Sequence, residues 1–585
     1  MTPDETPAAA PLRIDGLAVR YPVRKAPSLE GVTVAVAAGE RVGVAGRTGA
    51  GKSTLTLAAA GFIPRIVRAK LDGRVEIDGV GTAGAAADAL LGHVGIVFAT
   101  PANQLSASKL TVREELAFGL ENLGIPRAEM DPRIDATLAR LGIAHLADRE
   151  PFALSDDKQQ RVAIASIVTM GTSVLVLDEP TAQLDPAGTD AVADLLEELA
   201  RAGAAVLCAE HDPSVLGRMD RCLVLDSGRP VALDVPGAAL DRAGELAGLT
   251  PPTLVRLARA AGLDLGRAFD ETAIAAGLGA WVGAGRPLGG GAAGSSRTAA
   301  VAPPVAAPAW TPGRDRPPVR VAIDGLVHRY PNSVETVRSV SLTIEPGEAV
   351  AILGQNGSGK TTLVKHLNGL LRPDAGRILL DGGSIEGRSV AELARTVGFV
   401  FQNPDEQLFE RSVGREVSFG PRNLGIAAGD VATLVGDSLT AVGLADERAT
   451  NPYDLDLSRR KLVALAGILA MDPAVLVLDE PTTGQDADGV ERVGAIVEAF
   501  RATGRSVVTI THDMEFAATR FTRVVVMRAG EIVADGPPRE VFAPRNAELI
   551  ASTGLTPPPA ARIAARMGLD PVSLDAAGLL ATLRR

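Results

Sequence analysis

Short runs of Val, Ile and Leu alternate along this chain with longer helix-forming stretches, and the whole succession occurs twice. Runs at 41–45, 175–177 and 205–209 are matched in order by runs at 349–353, 476–478 and 507–510. This alternation predicts α/β architecture with a mainly parallel core sheet in each half. The opening of each half, 12–41 and 319–349, is strand-like and punctuated by turn residues, which predicts a small antiparallel sheet beside the core.

The repetition reaches individual residues. Gly46-Arg47-Thr48-Gly49-Ala50-Gly51-Lys52-Ser53 returns 308 positions later as Gly354-Gln355-Asn356-Gly357-Ser358-Gly359-Lys360-Thr361. Leu175-Val176-Leu177-Asp178-Glu179-Pro180-Thr181 returns at an offset of 301 as Leu476-Val477-Leu478-Asp479-Glu480-Pro481-Thr482, and Glu210-His211-Asp212 at the same offset as Thr511-His512-Asp513. Even Gly248-Leu249-Thr250-Pro251-Pro252 has its echo in Gly554-Leu555-Thr556-Pro557-Pro558. Between the copies, 285–318 is rich in Gly, Ala, Pro and Ser and reads as a flexible linker with a typical span of ~30 Å. The expected organisation is a first unit over 12–245 with a helical extension over 246–284, the linker, a second unit over 319–545 and its extension over 546–585.

A length of 585 residues accommodates two such units and a connector. Lys and Arg number 59 against 70 Asp and Glu, a net charge of −11, which removes the electrostatic basis for general nucleic-acid binding. The two cysteines, Cys208 and Cys222, lie inside apolar runs and read as packed strand thiols in a reducing compartment. Mean hydropathy is +0.17, yet every apolar stretch meets a charge, Gly or Pro before the ~18 residues needed to cross a bilayer. The stretch 1–11 is acidic and proline-containing, unlike a secretion signal. Work at a membrane would therefore rely on another protein's helices, with this chain on the cytoplasmic face.

Each glycine-lysine segment follows an apolar strand and leads into a helix-forming run, the context a phosphate-binding loop requires. Gly46, Arg47, Thr48, Gly49, Ala50 and Gly51, and in the second half Gly354, Gln355, Asn356, Gly357, Ser358 and Gly359, would curl backbone N–H groups round phosphate oxygens at a helix N-terminus. Lys52 or Lys360 would reach the terminal phosphates, and Ser53 or Thr361 would ligate magnesium. Asp178 and Asp479 end apolar runs, which puts their carboxylates at a sheet edge where they can hold magnesium through water. Glu179 and Glu480 follow at once and are placed to orient or deprotonate an attacking water. His211 and His512 end the following strand, in position to sense a γ-phosphate.

Together these residues resemble the ATP-binding cassette (ABC) ATPases, over both halves. The resemblance implies two P-loop NTPase domains that bind ATP and Mg2+, each with a helical subdomain in addition to its two sheets. It implies that Tyr21 and Tyr330 stack on adenine, that Thr54 and Thr362 belong to the nucleotide contacts, and that Asp185 and Asp486 are D-loop aspartates. Gln402 would be the Q-loop residue that links magnesium to a transmembrane partner. In this family two cassettes face head to tail, so each ATP lies between one P-loop and the signature of the other cassette. The segment Phe401-Gln402-Asn403-Pro404-Asp405-Glu406-Gln407-Leu408-Phe409, followed by Val413, Glu416, Phe419-Gly420 and Asn423-Leu424-Gly425, is similar to the ATPases of energy-coupling-factor (ECF) importers. Those take up vitamins and metal ions through a transmembrane coupling protein and a separate substrate-binding membrane protein. Residues 111–124 repeat the tail of the pattern.

The chain also departs from the family. Where the signature reads Leu-Ser-Gly-Gly-Gln, the first half has Leu154-Ser155-Asp156-Asp157-Lys158 and the second Leu455-Asp456-Leu457-Ser458-Arg459. Ser155 is thus the expected signature contact, and Ser458 the candidate substitute for the displaced serine. Asp156 and Asp157 bring like charge to a place where glycines let backbone approach the γ-phosphate. Ala99 stands where the second half has Gln402. Unequal sites are the expectation, with the one on Lys360, Gln402, Asp479, Glu480 and His512 complete and the one on Lys52 slower. Two other functions fit two cassettes: the tandem ATPase of a sugar-type importer, which would lack the 401–409 pattern, and a soluble, non-transport tandem ATPase. The Gly/Ala/Pro-rich joint and the acidic balance speak against the latter on ribosomes.

Overall fold

The computed structural model describes residues 10–22, 26–182, 184–283, 317–330 and 335–584. It divides into two compact units, Met1–Asp270 and Glu271–Arg585. In the first, the strands Leu29–Val36, Leu12–Arg20, Lys70–Ile77 and Val80–Gly81 form an antiparallel sheet in that order. Leu12, Ile14, Leu17 and Val19 are fully buried while the residues between them are partly or wholly exposed, the mark of a sheet with one face on a core.

The core sheet of this unit runs Arg229–Asp234, Arg221–Asp226, Arg41–Gly46, Ala205–Ala209, Val174–Asp178, Val94–Val97. Neighbours are parallel throughout except for the edge hairpin of Arg221–Asp226 with Arg229–Asp234. Val174–Asp178 is buried along its whole length, and its residues serve two cores in alternation. Val174 and Val176 join the apolar cluster under the antiparallel sheet, whereas Leu175 and Leu177 join the cluster built by the helices. That double burial explains why the strand is a continuous Val-Leu run rather than an alternating one.

The second unit repeats the plan. Its antiparallel sheet is ordered Glu335–Ile344, Val321–Arg329, Ala375–Leu380, Gly383–Ser384, and its core sheet Val397–Val400, Val475–Asp479, Ser506–Ile510, Ala349–Leu353, Arg523–Arg528, Glu531–Gly536. Helices Val112–Asn122, Arg127–Arg140 and Asp156–Val168, and their counterparts Val413–Asn423, Ala428–Ala441 and Leu457–Leu469, pack on one another as a helical layer in each unit. Thr111 starts the first of these with a capping box to Glu114. The expected fold class, two α/β P-loop domains with antiparallel and helical subdomains, is thus what the chain adopts.

Helices Pro236–Ala247 and Thr253–Ala260 lie in the first unit, whereas Glu271–Gly283 packs in the second against Pro559–Arg566. There Glu271 accepts a 2.8 Å hydrogen bond from Arg562 and pairs with Arg566 at 3.4 Å. The units therefore part inside the extension drawn at 246–284. The linker at 285–318, apart from its last two residues, and the start at 1–9 lie outside the described residues. Cys208 and Cys222 are unpaired and fully buried in strands, as packed thiols should be. Among the described residues no helix is long and apolar enough to cross a membrane.

Candidate functional site

The strand Arg41–Gly46 runs straight into its glycine loop, and Ala349–Leu353 does the same. Gly46, Gly49 and Gly51 have φ of 147°, 80° and 103°, and Gly354, Gly357 and Gly359 have 150°, 82° and 100°. A Cβ on Gly46 would stand 2.3 Å from the carbonyl oxygen of Leu225, and one on Gly354 2.3 Å from that of Met527. Only glycine fits there. Gly51 and Gly359 are the N-caps of helices Lys52–Ala59 and Lys360–Lys365, and no side chain caps either, so first-turn N–H groups remain for an anion.

Lys52 and Lys360 are buried against their own loops. Lys52 Nζ donates to the carbonyls of Gly46 and Arg47 at 3.2 and 3.4 Å, and Lys360 Nζ to those of Gly354 and Gln355 at 2.7 and 2.9 Å. Tyr21 Oη lies 3.3 Å from Thr54 Oγ1, and Tyr330 Oη 3.4 Å from Thr362 Oγ1. Both tyrosines are thereby brought onto the helix that leaves the loop.

Asp178 and Asp479 end their strands beside the hydroxyls of Ser53 and Thr361, which favour their ionised forms. Burial, helped by the adjacent glutamate, pushes their carboxyls up to about 6 and about 7. Their Oδ1 atoms are buried with no hydrogen-bond partner. A desolvated carboxylate oxygen lacking a donor, next to a hydroxyl, is a donor set that a hard divalent cation satisfies. Among the described residues no cluster of three or more His, Cys, Asp or Glu could hold a metal alone, so each pair fits a magnesium ion that also takes phosphate and water oxygens.

Glu179 and Glu480 have φ of 48° and 49°, a left-handed geometry that costs a non-glycine residue roughly 1–2 kcal/mol. Burial opposes ionisation of Glu179, but His211 and Lys52 outweigh it and bring the carboxyl down to about 2. At Glu480, burial is likewise outweighed by His512, with help from Lys360 and Lys461, and the pKa falls below the ordinary value. Lys52, Asp178, Glu179 and His211 thus converge in one unit, and Lys360, Asp479, Glu480 and His512 in the other.

At the signature segments the halves diverge. Ser155 is exposed at the N-cap of Asp156–Val168; the side chain of Asp156 lies outside the described residues. In the second half Asp456 takes the N-cap and accepts from the backbone N–H of Arg459 at 2.9 Å. Ser458, the candidate substitute, is turned inward. It is 6% exposed, its hydroxyl donates to Gln485 Oε1 at 2.7 Å, and Gln485 Nε2 donates back to its carbonyl at 3.1 Å. Helical register turns it inward, which the ungapped sequence comparison could not reveal. Asp185 and Asp486 cap the next helices, accepting from Gly188 and Gly489 N–H at 2.8 Å.

Ala99 and Gln402 sit just beyond the edge strands Val94–Val97 and Val397–Val400. Two residues to which the sequence assigns no role of their own stabilise these segments. Gln104 accepts from Phe98 N–H at 3.1 Å and donates to the Ala163 carbonyl at 2.6 Å. Gln407 accepts from Phe401 N–H at 3.3 Å and donates to the Ala464 carbonyl at 2.9 Å. Each glutamine ties its segment to the helix that starts at the signature. The signal was present as the repeat of Gln104-Leu105 in Gln407-Leu408.

The family model described as ABC transporter matches residues 29–182 and 337–483. A protein of Methanosarcina acetivorans, assigned as an ABC transporter ATP-binding protein, is 38% identical over 96% of this chain and 91% of its own length. One of Streptomyces avermitilis with the same assignment is 36% identical over 92% of this chain and 97% of its own length. A solved structure, cbiO1 from Clostridium perfringens, described as part of the ABC transporter complex cbiONQ, is 33% identical, with a TM-score of 0.37 over 43% of this chain and 98% of that one. With a phosphate loop, a magnesium-type carboxylate and a histidine-held glutamate in each half, this chain belongs to the ABC transporter family, as a tandem ATPase with two cassettes.

Proposed function

We propose that this chain energises a membrane importer of the ECF type, carrying a vitamin or a metal ion, and that it works from the cytoplasmic face through integral membrane partners. The observation that supports this reading is an exposed aromatic group built into the segment that resembles ECF ATPases. Phe409 and Phe419 are 57% and 42% exposed and meet edge to face, with ring centroids 4.7 Å apart. Buried Glu416 holds the backbone beneath them, accepting from the N–H groups of Phe409 and Glu410 at 2.9 and 2.6 Å. Tyr453, also exposed, donates to the Leu408 carbonyl at 2.7 Å. Large apolar side chains held rigidly at the surface suit a helix from a membrane subunit.

In this reading ATP is the substrate. Loop N–H groups and Lys52 or Lys360 neutralise its phosphates, and Tyr21 or Tyr330 stacks on the base. Ser53 with Asp178, and Thr361 with Asp479 and Gln402, would hold magnesium, which would supply positive charge against that of the phosphates. Glu480 accepts a proton from the attacking water, and His512 orients Glu480 and faces the γ-phosphate. The halves pair head to tail, so that Ser155 completes the site of Lys360. The Lys52 site, with Ala99 in its Q-loop and the 455–459 segment opposite, turns over more slowly.

The test is purification of the full chain from membranes with its partners. Recovery with an integral coupling protein and a small cargo-binding membrane protein, lost on Phe409→Asp with Phe419→Asp, supports the reading. Recovery with ribosomes, or with the permease of a sugar importer, overturns it.

A further inference from the structure

The turn that follows each active-site glutamate is gripped by a buried ionisable residue, a carboxyl in the first half and an ammonium in the second. In the first, Glu210 is 3% exposed. Its Oε1 accepts from Thr181 N–H at 3.1 Å and from Thr181 Oγ1 at 2.5 Å, and its Oε2 accepts from His211 and Asp212 N–H at 2.9 and 3.3 Å. It ties the turn after Glu179 to the histidine. The second half has Thr511 in its place, which reaches only Thr482 Oγ1 at 3.4 Å and the N–H of Asp513 at 3.0 Å.

The buried charge of the second half comes from the other side of the turn. Lys461, 6% exposed on helix Leu457–Leu469, donates to the carbonyls of Glu480 and Thr483 at 3.2 and 3.0 Å. The matching residue of the first half is Gln160, whose amide reaches the Phe98 carbonyl at 3.4 Å instead. The small cavity beside Lys461 is lined by Leu462, Leu465, Leu478 and Val493 on one side and by Asp479, Glu480 and Gln485 on the other, so the ammonium sits where apolar packing meets the acids of the site. Burial lowers the ammonium to about 8, and Glu480 and Asp479 keep it charged near neutrality.

Lys461 holds carbonyls at both ends of the turn 480–483, and one of them belongs to the left-handed Glu480 itself. A strained backbone persists only where its surroundings over-determine it. Fixing the peptide plane after Glu480 fixes the direction in which its Cα–Cβ bond leaves the backbone. Ser458 and Gln485 bond the same helix to the same loop one turn earlier.

We propose that Lys461 is a positioning residue for ATP hydrolysis in the second half, holding the turn 480–483 so that the Glu480 carboxylate meets the attacking water. The proposal rests on Glu480 acting as the base of that site. It is tested on the full chain carrying Glu179→Gln, so that turnover reports the second site. Lys461→Met is expected to lower kcat by ~10–100-fold with KM for ATP within about twofold, with the melting temperature unchanged. Lys461→Gln, which retains a neutral donor, should fall between it and the parent, and it decides the matter if the methionine variant does not fold. If Glu480→Gln abolishes turnover while both Lys461 variants keep the parent kcat, the positioning role is refuted. A loss of kcat that merely follows a rise in KM or a fall in melting temperature refutes it too. If Glu480→Gln itself leaves turnover intact, the assignment of Glu480 falls instead.

Discussion

His512 Nδ1 stands 2.8 Å from Glu480 Oε1. In the first half the near ring nitrogen is the other one: His211 Nε2 lies 3.1 Å from Glu179 Oε1 and 2.8 Å from Lys52 Nζ. Both phosphate-binding lysines lie on the carbonyls of their loops, and in the first half the lysine also lies beside the histidine. The two halves thus hold their glutamates through different ring nitrogens, which adds to the inequality proposed from Ala99 and the 455–459 segment.

Replacing each glutamate by glutamine should expose that inequality. Glu480→Gln is expected to reduce phosphate release at saturating ATP by ~100-fold or more, the scale of a lost general base. Glu179→Gln should cost less than about threefold, because the slower site contributes little of the total. Steady-state phosphate release from the two full-length variants decides, and equal losses would refute the unequal sites.

The two signature serines should behave differently. Ser155 is exposed at a helix N-cap with no bond from its side chain to the cap, whereas Ser458 is committed to Gln485. Ser155→Ala should lower hydrolysis at least ~10-fold, the cost of removing a donor to transition-state charge. Ser458→Ala should leave KM for ATP unchanged within about twofold and lower thermal stability, since it strips Gln485 of a buried partner. Activity assays with parallel melting curves separate the two outcomes.

The phosphate loops and the acids after the apolar runs were legible because their chemistry depends on residues adjacent in sequence, where glycine spacing and strand-end position carry the signal. The parallel core was legible for a similar reason, since strands such as Val174–Asp178 are buried on both faces and show it as unbroken hydrophobicity. Lys461 and Glu210 were not, because each acts on a turn about 20–30 residues away in the chain and belongs to no periodic pattern. The inward turn of Ser458 escaped for a related reason. A one-residue change of place on a helix rotates a side chain by about 100°, and spacing to the next motif says nothing of that rotation.

Glu210 gives a pH dependence with a defined sign. Burial, reinforced by Asp212 and Glu179, pushes its carboxyl up to about 7 despite the donors around it. The folded chain therefore holds a proton that the unfolded chain gives up near the ordinary glutamate value. Where the folded state binds the extra proton, stability falls as pH rises, here from about 4.5 to about 7. Glu210→Thr, the residue of the second half, removes that slope. Relative to the parent, the variant should gain on the order of 1–3 kcal/mol between pH 5 and pH 8, read from urea midpoints of the first unit's transition. Parallel curves for parent and variant would refute the ionisation of Glu210 in this range.

Gln407 offers a way to separate hydrolysis from its coupling to a membrane partner. Its side chain joins Phe401, one residue before Gln402, to Ala464 on the helix that begins at the second signature. Gln407→Ala leaves two backbone groups without their partner, a cost of ~1–3 kcal/mol confined to that junction. Lys360, Asp479, Glu480 and His512 keep their own contacts, so ATP binding and basal hydrolysis by the isolated chain should stay within about twofold of the parent. This link and the Arg460–Asp405 ion pair at 2.6 Å join the 401–409 segment to the signature helix, so stimulation of hydrolysis by co-purified membrane subunits should be reduced at least ~threefold. Gln104→Ala removes the matching link in a half whose Q-loop already carries Ala99, and should cost similar stability with a smaller loss of stimulation. Comparing ATPase rates with and without the membrane subunits tests both, and undiminished stimulation of the Gln407 variant would show that coupling takes another route.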